Sequence, residues 1–302
     1  MSVKDRIIDF GYLVGWKVLW LLPSRFTNSL FILIARLLWR LNTKGVKQLK
    51  MNLSRVTNLD VNSPELGKLA KQGLVNYLRY YAETFRLPRL ANHEILNSVR
   101  PINVEPVLKA LESGGVILAL PHSGNWDHAG AWAAKFFGSL CTIAERLRPE
   151  SVYQKFTAMR TAQGLTLMPL TGAGGTYEFL RSQVNAGKVV ALLSDRDLSG
   201  SGMGVTFFSN RAPLPIGAAL LGIDTGRPIF TLSSWYDGQS LVIEFDNEIV
   251  IDEPGLTGRD RLRQAQEVTG QIANQLEQHI IRHPSDWHML QPIWPDLIAS
   301  KQ

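Results

Sequence analysis

Two kinds of apolar pattern divide the chain: helical spacing over the first third, and short unbroken runs between helical stretches beyond residue 103. "YLVGWKVLWLLP" and "LFILIARLLWRL" carry wide apolar faces, broken or flanked by Lys17, Arg25, Arg36 and Arg40. Over residues 64–87, Leu66, Leu69, Leu74, Tyr77, Tyr80 and Tyr81 keep one broad stripe, which predicts a helix that Pro88 ends. Alternation then begins. "EPVLKALESG" predicts a helix and "GVILALP" a buried strand; "HAGAWAAKFFG" a helix and "LCTIAE" a strand. "ESVYQKFTAMRTAQG" and "LTLMPL" repeat the pair, as do "TYEFLRSQVNAG" and "VVALLSD". "PIFTLSSWY" and "SLVIEFDNEIV" form a hairpin around "DGQS", and "GRDRLRQAQEVTGQIANQLEQHIIRH" is a long closing helix. The strands are apolar at every position rather than every second one. Such strands are covered on both faces, as in the largely parallel sheet of an α/β protein. No internal repeat or low-complexity linker interrupts the 302 residues, so a single domain is expected, with an α/β core over 103–302 and amphipathic helices before it.

Charge sharpens the reading of the N-terminal segment. The net charge is +6, yet residues 1–50 hold nine Lys or Arg against two Asp or Glu, and the remainder is nearly neutral. Basic charge on apolar, Trp-bearing helices (Trp16, Trp20, Trp39) fits a segment lying in the interface of an anionic membrane. Every apolar run is broken by charge well before the ~20 residues a spanning helix needs, and no signal-peptide cleavage pattern follows. Nucleic acid is not the expected partner, because the basic residues sit on apolar faces. The single cysteine, Cys141, excludes an intrachain disulfide framework and a Cys-rich zinc site, and it suits a reducing compartment.

Reactive side-chain types cluster at the strand ends, where open α/β sheets bind ligands. His122 follows "GVILALP"; Glu145, Arg146 and Arg148 follow "LCTIA"; "TGAGGT" follows "LTLMPL"; Asp195, Arg196 and Asp197 follow "VVALLS". On residues alone, His122 is a packed core histidine, a metal ligand or a base. A carboxylate on one imidazole nitrogen leaves the other to take a proton from an alcohol. Asp127, five positions on, and Asp195, at the end of a neighbouring strand, are the candidate carboxylates, and Asp127 has the alternative of pairing within its own helix. Asp195 has the better geometry, since its side chain faces the strand end that carries His122. His122, Asp127 and His128 match no zinc spacing, Ser123 lacks a G-x-S-x-G elbow, Cys141 reads as a buried inert thiol, and "TGAGGT" reads as a turn.

H-x4-D after an apolar strand resembles the bacterial lipid acyltransferases that include the lipid A late acyltransferases. With "LALPHSGNWD", "TIAERLRPE", "MPLTG", "DRD", "VTFF" and "HPSDWHMLQPIW", and with "DFGYLVGW" and "YYAETFRLP" earlier, the chain resembles the actinobacterial phosphatidylinositol mannoside acyltransferases. That resemblance implies a peripheral enzyme on the cytoplasmic face of the plasma membrane. The implied reaction moves a fatty acyl chain from acyl-CoA to the 6-hydroxyl of a mannose on a phosphatidylinositol mannoside, without metal or cofactor. It implies His122 as base with Asp195 as its carboxylate partner, in a position where the family usually has Glu, and Asp127 as the motif aspartate. Arg146, Arg160 and Arg196 fall on family arginine positions, and Glu145, Arg148, Asp197 and His288 are expected on the substrate side. Phe207, Phe208 and aromatic helix faces are expected along the acyl groove, and backbone N–H groups at the start of the helix after His122 at the oxyanion. A lipid A-type or glycerophospholipid acceptor is the alternative for the same chemistry, and a non-catalytic membrane-binding protein the alternative class.

Overall fold

A computed structural model describes residues 22–146, 148–170 and 175–297. Most of "YLVGWKVLWLLP", Leu147 and much of "TGAGGT" lie outside the described residues.

Among the described residues, the chain opens with the helices α1 (Ser24–Arg40), α2 (Lys44–Thr57) and α3 (Pro64–Thr84). Local chemistry sets their starts. The Thr43 side chain accepts from the Val46 N–H, and the Ser63 side chain accepts from Leu66 N–H with Pro64 as the first helical residue. A short turn at Leu87–Arg89, holding Pro88, ends the α3 run. A short helix α4 (Asn92–Asn97) leads to β1 (Val99–Ile102). The alternation expected from the sequence follows: α5 (Glu105–Glu112), β2 (Val116–Leu120), α6 (Trp126–Phe136), β3 (Leu140–Ala144), α7 (Glu150–Ala162), β4 (Leu165–Pro169), α8 (Thr176–Asn185) and β5 (Val189–Leu193). A small hairpin, β6 (Met203–Phe207) and β7 (Asn210–Leu214), then precedes α9 (Gly217–Thr225), the long strands β8 (Ile229–Asp237) and β9 (Ser240–Ile249), and α10 (Gly258–Arg282).

Seven strands form one sheet in the order β1-β9-β8-β2-β5-β3-β4, parallel except for the β8–β9 hairpin. The fold class is therefore the α/β class that the unbroken apolar runs predict. Neighbouring residues of one strand serve opposite cores. Ile117 and Ala119 of β2 join the layer packed by α2, α3, α9 and α10, whereas Val116 and Leu118 join the layer holding Trp132, Phe230 and Phe245. Among the described residues no helix is long and apolar enough to cross a membrane. The α1 helix nevertheless turns Phe26, Leu30, Leu33 and Leu37 outward, with Leu41 just beyond its end, while Thr27, Phe31 and Ala35 face the protein.

Candidate active site

Sheet register brings the first pair together. β2 and β5 run parallel with Leu120 opposite Leu193, and the ladder continues through the Ser194 N–H to Leu120 C=O bond of 2.8 Å. His122 and Asp195 each lie two residues past those matched ends. The Asp195 carboxylate clasps His122 twice: Oδ1 lies 2.6 Å from the ring Nδ1, and Oδ2 accepts the backbone N–H at 2.9 Å. Asp195 Oδ2 also accepts the indole N–H of Trp287 at 2.9 Å. Burial of Asp195 favours its neutral form, but the His122 contacts and the Trp287 N–H outweigh it and hold the carboxyl below its ordinary value. With Asp195 ionised, Nδ1 carries the proton and Nε2 is the free acceptor. The ring retains 15% side-chain exposure, against none for Asp195, and it borders a cavity of about 710 Å³. That volume is the size of small-molecule sites.

Asp127 has other partners. In the first turn of α6, it accepts Arg160 Nε at 2.6 Å and Nη2 at 3.2 Å, and the Tyr80 hydroxyl at 2.6 Å. Burial and the Asp127 charge raise the Tyr80 phenol well above its ordinary value. Burial works against the Arg160 cation, but Asp127 overrides it and raises the pKa. Asn125, not Asp127, caps α6: its side chain accepts the His128 N–H at 3.0 Å. Gly124 is required by space as well as conformation. Its φ is 56°, and a Cβ there would meet the Ser234 carbonyl oxygen at 2.7 Å.

The remaining expected residues divide. Glu145, Arg148, Arg160, Arg196, Asp197 and His288 line the cavity with His122 and Asp127. Arg146 does not join them; it is exposed and reaches forward to Glu150 at 2.9 Å, one turn on along its own segment. Arg196 faces Glu145 at 3.5 Å. The Asp197 carboxylate folds its own loop, accepting both the N–H and the hydroxyl of Ser199 and the N–H of Gly202. His288 donates Nε2–H to the Gly124 carbonyl at 2.9 Å and burial pushes it down to about 3, so it is neutral. His128 turns away from His122 to the Ser98 hydroxyl at 2.7 Å, and among the described residues no metal-ligating group forms. Cys141 is buried, and burial raises its thiol pKa.

Two further expectations change. Phe207 and Phe208 are core residues, not cavity walls: the β6–β7 hairpin turns them onto Trp287 and Trp294. The cavity walls come from the aromatic helix faces, through Phe31, Tyr77, Tyr81, Phe85, Trp126 and Phe156 on or beside α1, α3, α6 and α7, and from Leu118, Leu232 and Phe245 on the sheet. The N–H groups of His122, Ser123 and Gly124 are already committed, to Asp195, to Pro121 C=O and to Asp286 C=O. Backbone oxyanion donors from this turn are therefore left to Asn125, the cap residue, and to Trp126 and Asp127, which open the helix itself. Sequence reasoning assigned no role to Tyr80 or Trp287. Both stand in stretches that carry the family resemblance, and Tyr80 also lies on the Tyr77/Tyr81 stripe.

Residues 1–295 match the bacterial lipid A biosynthesis acyltransferases. A protein of Mycolicibacterium smegmatis named phosphatidylinositol mannoside acyltransferase is 34% identical over 297 residues, covering 97% of this chain and 93% of that one. A protein of the same name from Mycobacterium tuberculosis H37Rv is 34% identical over 309 residues, covering all of this chain and 93% of its own. The chain belongs to the bacterial lipid A biosynthesis acyltransferase family.

Proposed function

We propose that this protein transfers a fatty acyl chain from acyl-CoA to the 6-hydroxyl of a mannose on a phosphatidylinositol mannoside, with His122 as general base. The observation that carries the reading is the His122–Asp195 pair opening on an apolar cavity of about 710 Å³. A sugar hydroxyl is a weak nucleophile at neutral pH, so the reaction needs a base with a free lone pair. His122 Nε2 takes the hydroxyl proton, and the oxygen attacks the thioester carbonyl. The C–S bond then breaks, and the departing thiolate of CoA receives the proton from the imidazolium. Asp195 stabilises that imidazolium between the two steps. The first N–H groups of α6 face the charge that develops on the carbonyl oxygen. Arg148 and Arg196, which line the cavity, supply cations for phosphate. The acyl chain lies between α6 and the sheet, where Ala129, Gly130 and Ala133 keep the helix surface low beside Leu118 and Phe245.

No metal or cofactor enters this scheme, and acyl-CoA is a co-substrate. The outward apolar face of α1, together with Arg25, Arg36 and Arg40, rests on the anionic cytoplasmic leaflet. The names of the mycobacterial relatives support the choice of a mannoside acceptor over a lipid A precursor or a glycerophospholipid. The test is CoA release from palmitoyl-CoA with a panel of acceptors: phosphatidylinositol mannosides, a lipid A precursor and a lysophospholipid. Transfer to the mannosides is the expected result. Transfer to either other acceptor replaces the acceptor assignment, and absence of any transfer removes the enzymatic reading.

A further inference from the structure

The geometry points to Trp287 as a positioning residue of the reaction, acting through its indole N–H on Asp195. This inference rests on His122 being the base, and it adds a third group that sets the pair.

The segment after α10 is a strap across the site. From its turn Pro284–Asp286, the backbone grips the His122 loop on both sides: His288 N–H donates to His122 C=O at 2.8 Å, and Gly124 N–H donates to Asp286 C=O at 2.9 Å. Ser123 and Trp287 form an antiparallel bridge between these bonds. One segment thus holds the backbone of the base and, through Trp287, the side chain of its partner. The indole is fully buried, in contact with Phe207, Phe208 and Trp294, so its ring has little freedom to swing away.

Asp195 has no exposure, so no solvent donor replaces a lost protein donor. Its Oδ2 takes two N–H groups, from His122 and Trp287, leaving Oδ1 aimed at Nδ1. The indole bond therefore fixes the carboxylate rotamer and stabilises its charge. Without it, the charged carboxylate is less well solvated whenever His122 is neutral. The pair then binds a proton more readily, and the base is lost at a higher pH. The other titratable or charged groups sharing the cavity are His288, Asp127 with Arg160 and Tyr80, Tyr77, Tyr81, Glu145, Arg148, Arg196 and Asp197. Asp286 lies next to Trp287 and titrates near 6. All of these are present in the wild type and the variant alike, so the readout is the difference between the two proteins.

The experiment places 3-benzothienylalanine at position 287 of the full chain, which puts sulfur where the indole has N–H and leaves the ring shape nearly unchanged. Trp287→Phe serves as a second variant. The expected result is a kcat about 10- to 100-fold lower, the scale of one hydrogen bond to a charged group. Both KM values should stay unchanged, the isostere should stay folded with a melting temperature only a few degrees lower, and the acid limb of kcat/KM should move to higher pH. An unchanged kcat in the isostere overturns the inference, even if Trp287→Phe is unstable. So does a lower kcat with an unmoved acid limb, since that shows packing alone. His122→Ala in the same assay separates the two levels: full activity there removes the base assignment itself, whatever position 287 does.

Discussion

Replacing His122 by Ala removes the free Nε2 but leaves β2, the strap and α6 with their backbone bonds. Transfer should be lost while the melting temperature stays near wild type. Asp195→Asn keeps the shape without the charge that stabilises an imidazolium, so kcat should fall by about 100-fold or more. Asp127 predicts the opposite balance. Its side chain is 2% exposed and bound by Arg160 and Tyr80, and breaking a buried pair of this kind typically costs about 3–5 kcal/mol. Arg160→Ala should therefore lower the free energy of unfolding in urea by roughly that amount, and an unchanged midpoint would show the pair to be dispensable. Asp286 gives a pH-dependent case. Burial raises its pKa to about 6 from an ordinary 3.8, so the folded state holds a proton that the unfolded chain has released between those values. Stability from this group is present at low pH and lost as pH rises through 6. At ~1.4 kcal/mol per unit, Asp286→Asn should gain about 2–3 kcal/mol relative to wild type on going from pH 4 to pH 7.5. A difference that does not vary with pH would mean that the carboxyl stays ionised.

Among the elements, α1 and α6 carry the clearest consequences. On α1 the residues Phe26, Leu30, Leu33 and Leu37 form an exposed apolar row at spacings of three and four, opposite Phe31, which borders the cavity. Replacing Phe26, Leu33 and Leu37 by Ser should release the protein from vesicles rich in phosphatidylinositol, measured by sedimentation, without changing its fold. Retention of full binding would move membrane contact elsewhere. On α6, a Cβ at Gly130 would already lie 3.3 Å from Leu165, and Ala133 lines the same channel. Ala133→Leu should shift donor preference from palmitoyl-CoA towards shorter chains in a competition assay. These two helices also mark how far the sequence could be read. The apolar run of β2 followed by His122, and that of β5 followed by Asp195, are legible because buried parallel strands leave an unbroken signature. The direction of a ring or a guanidinium is not. Arg146 and Arg148 are two residues apart in one loop, and only the folded turn into α7 sends the first to Glu150 and leaves the second at the cavity. Phe207 and Phe208 read as a wall because the β6–β7 hairpin, with Pro213 in its second strand, shows no clear strand alternation to fix its facing.

For the molecule as a whole, the order of the central strands matters more than their number. β2 pairs with β5 and with β8, both distant in sequence, so His122 meets Asp195, 73 positions on, through strand ends rather than local spacing, which is how the sequence favoured that carboxylate over Asp127. The C-terminal strap is equally non-local, tied through Asn52 to the Met289 and Gln291 carbonyls and through Asn76 to Ser285 and Asp286. This has a consequence for how the protein comes into being. A ribosome paused after Arg282 has already made His122, Asp195, Asp127 and Arg160, yet holds none of Asp286, Trp287, His288 or Trp294. The nascent chain thus carries its reactive groups before the strap that grips the His122 loop has been made. Asp195 Oδ2 gains its indole donor only after Trp287 has followed, more than ninety residues behind it.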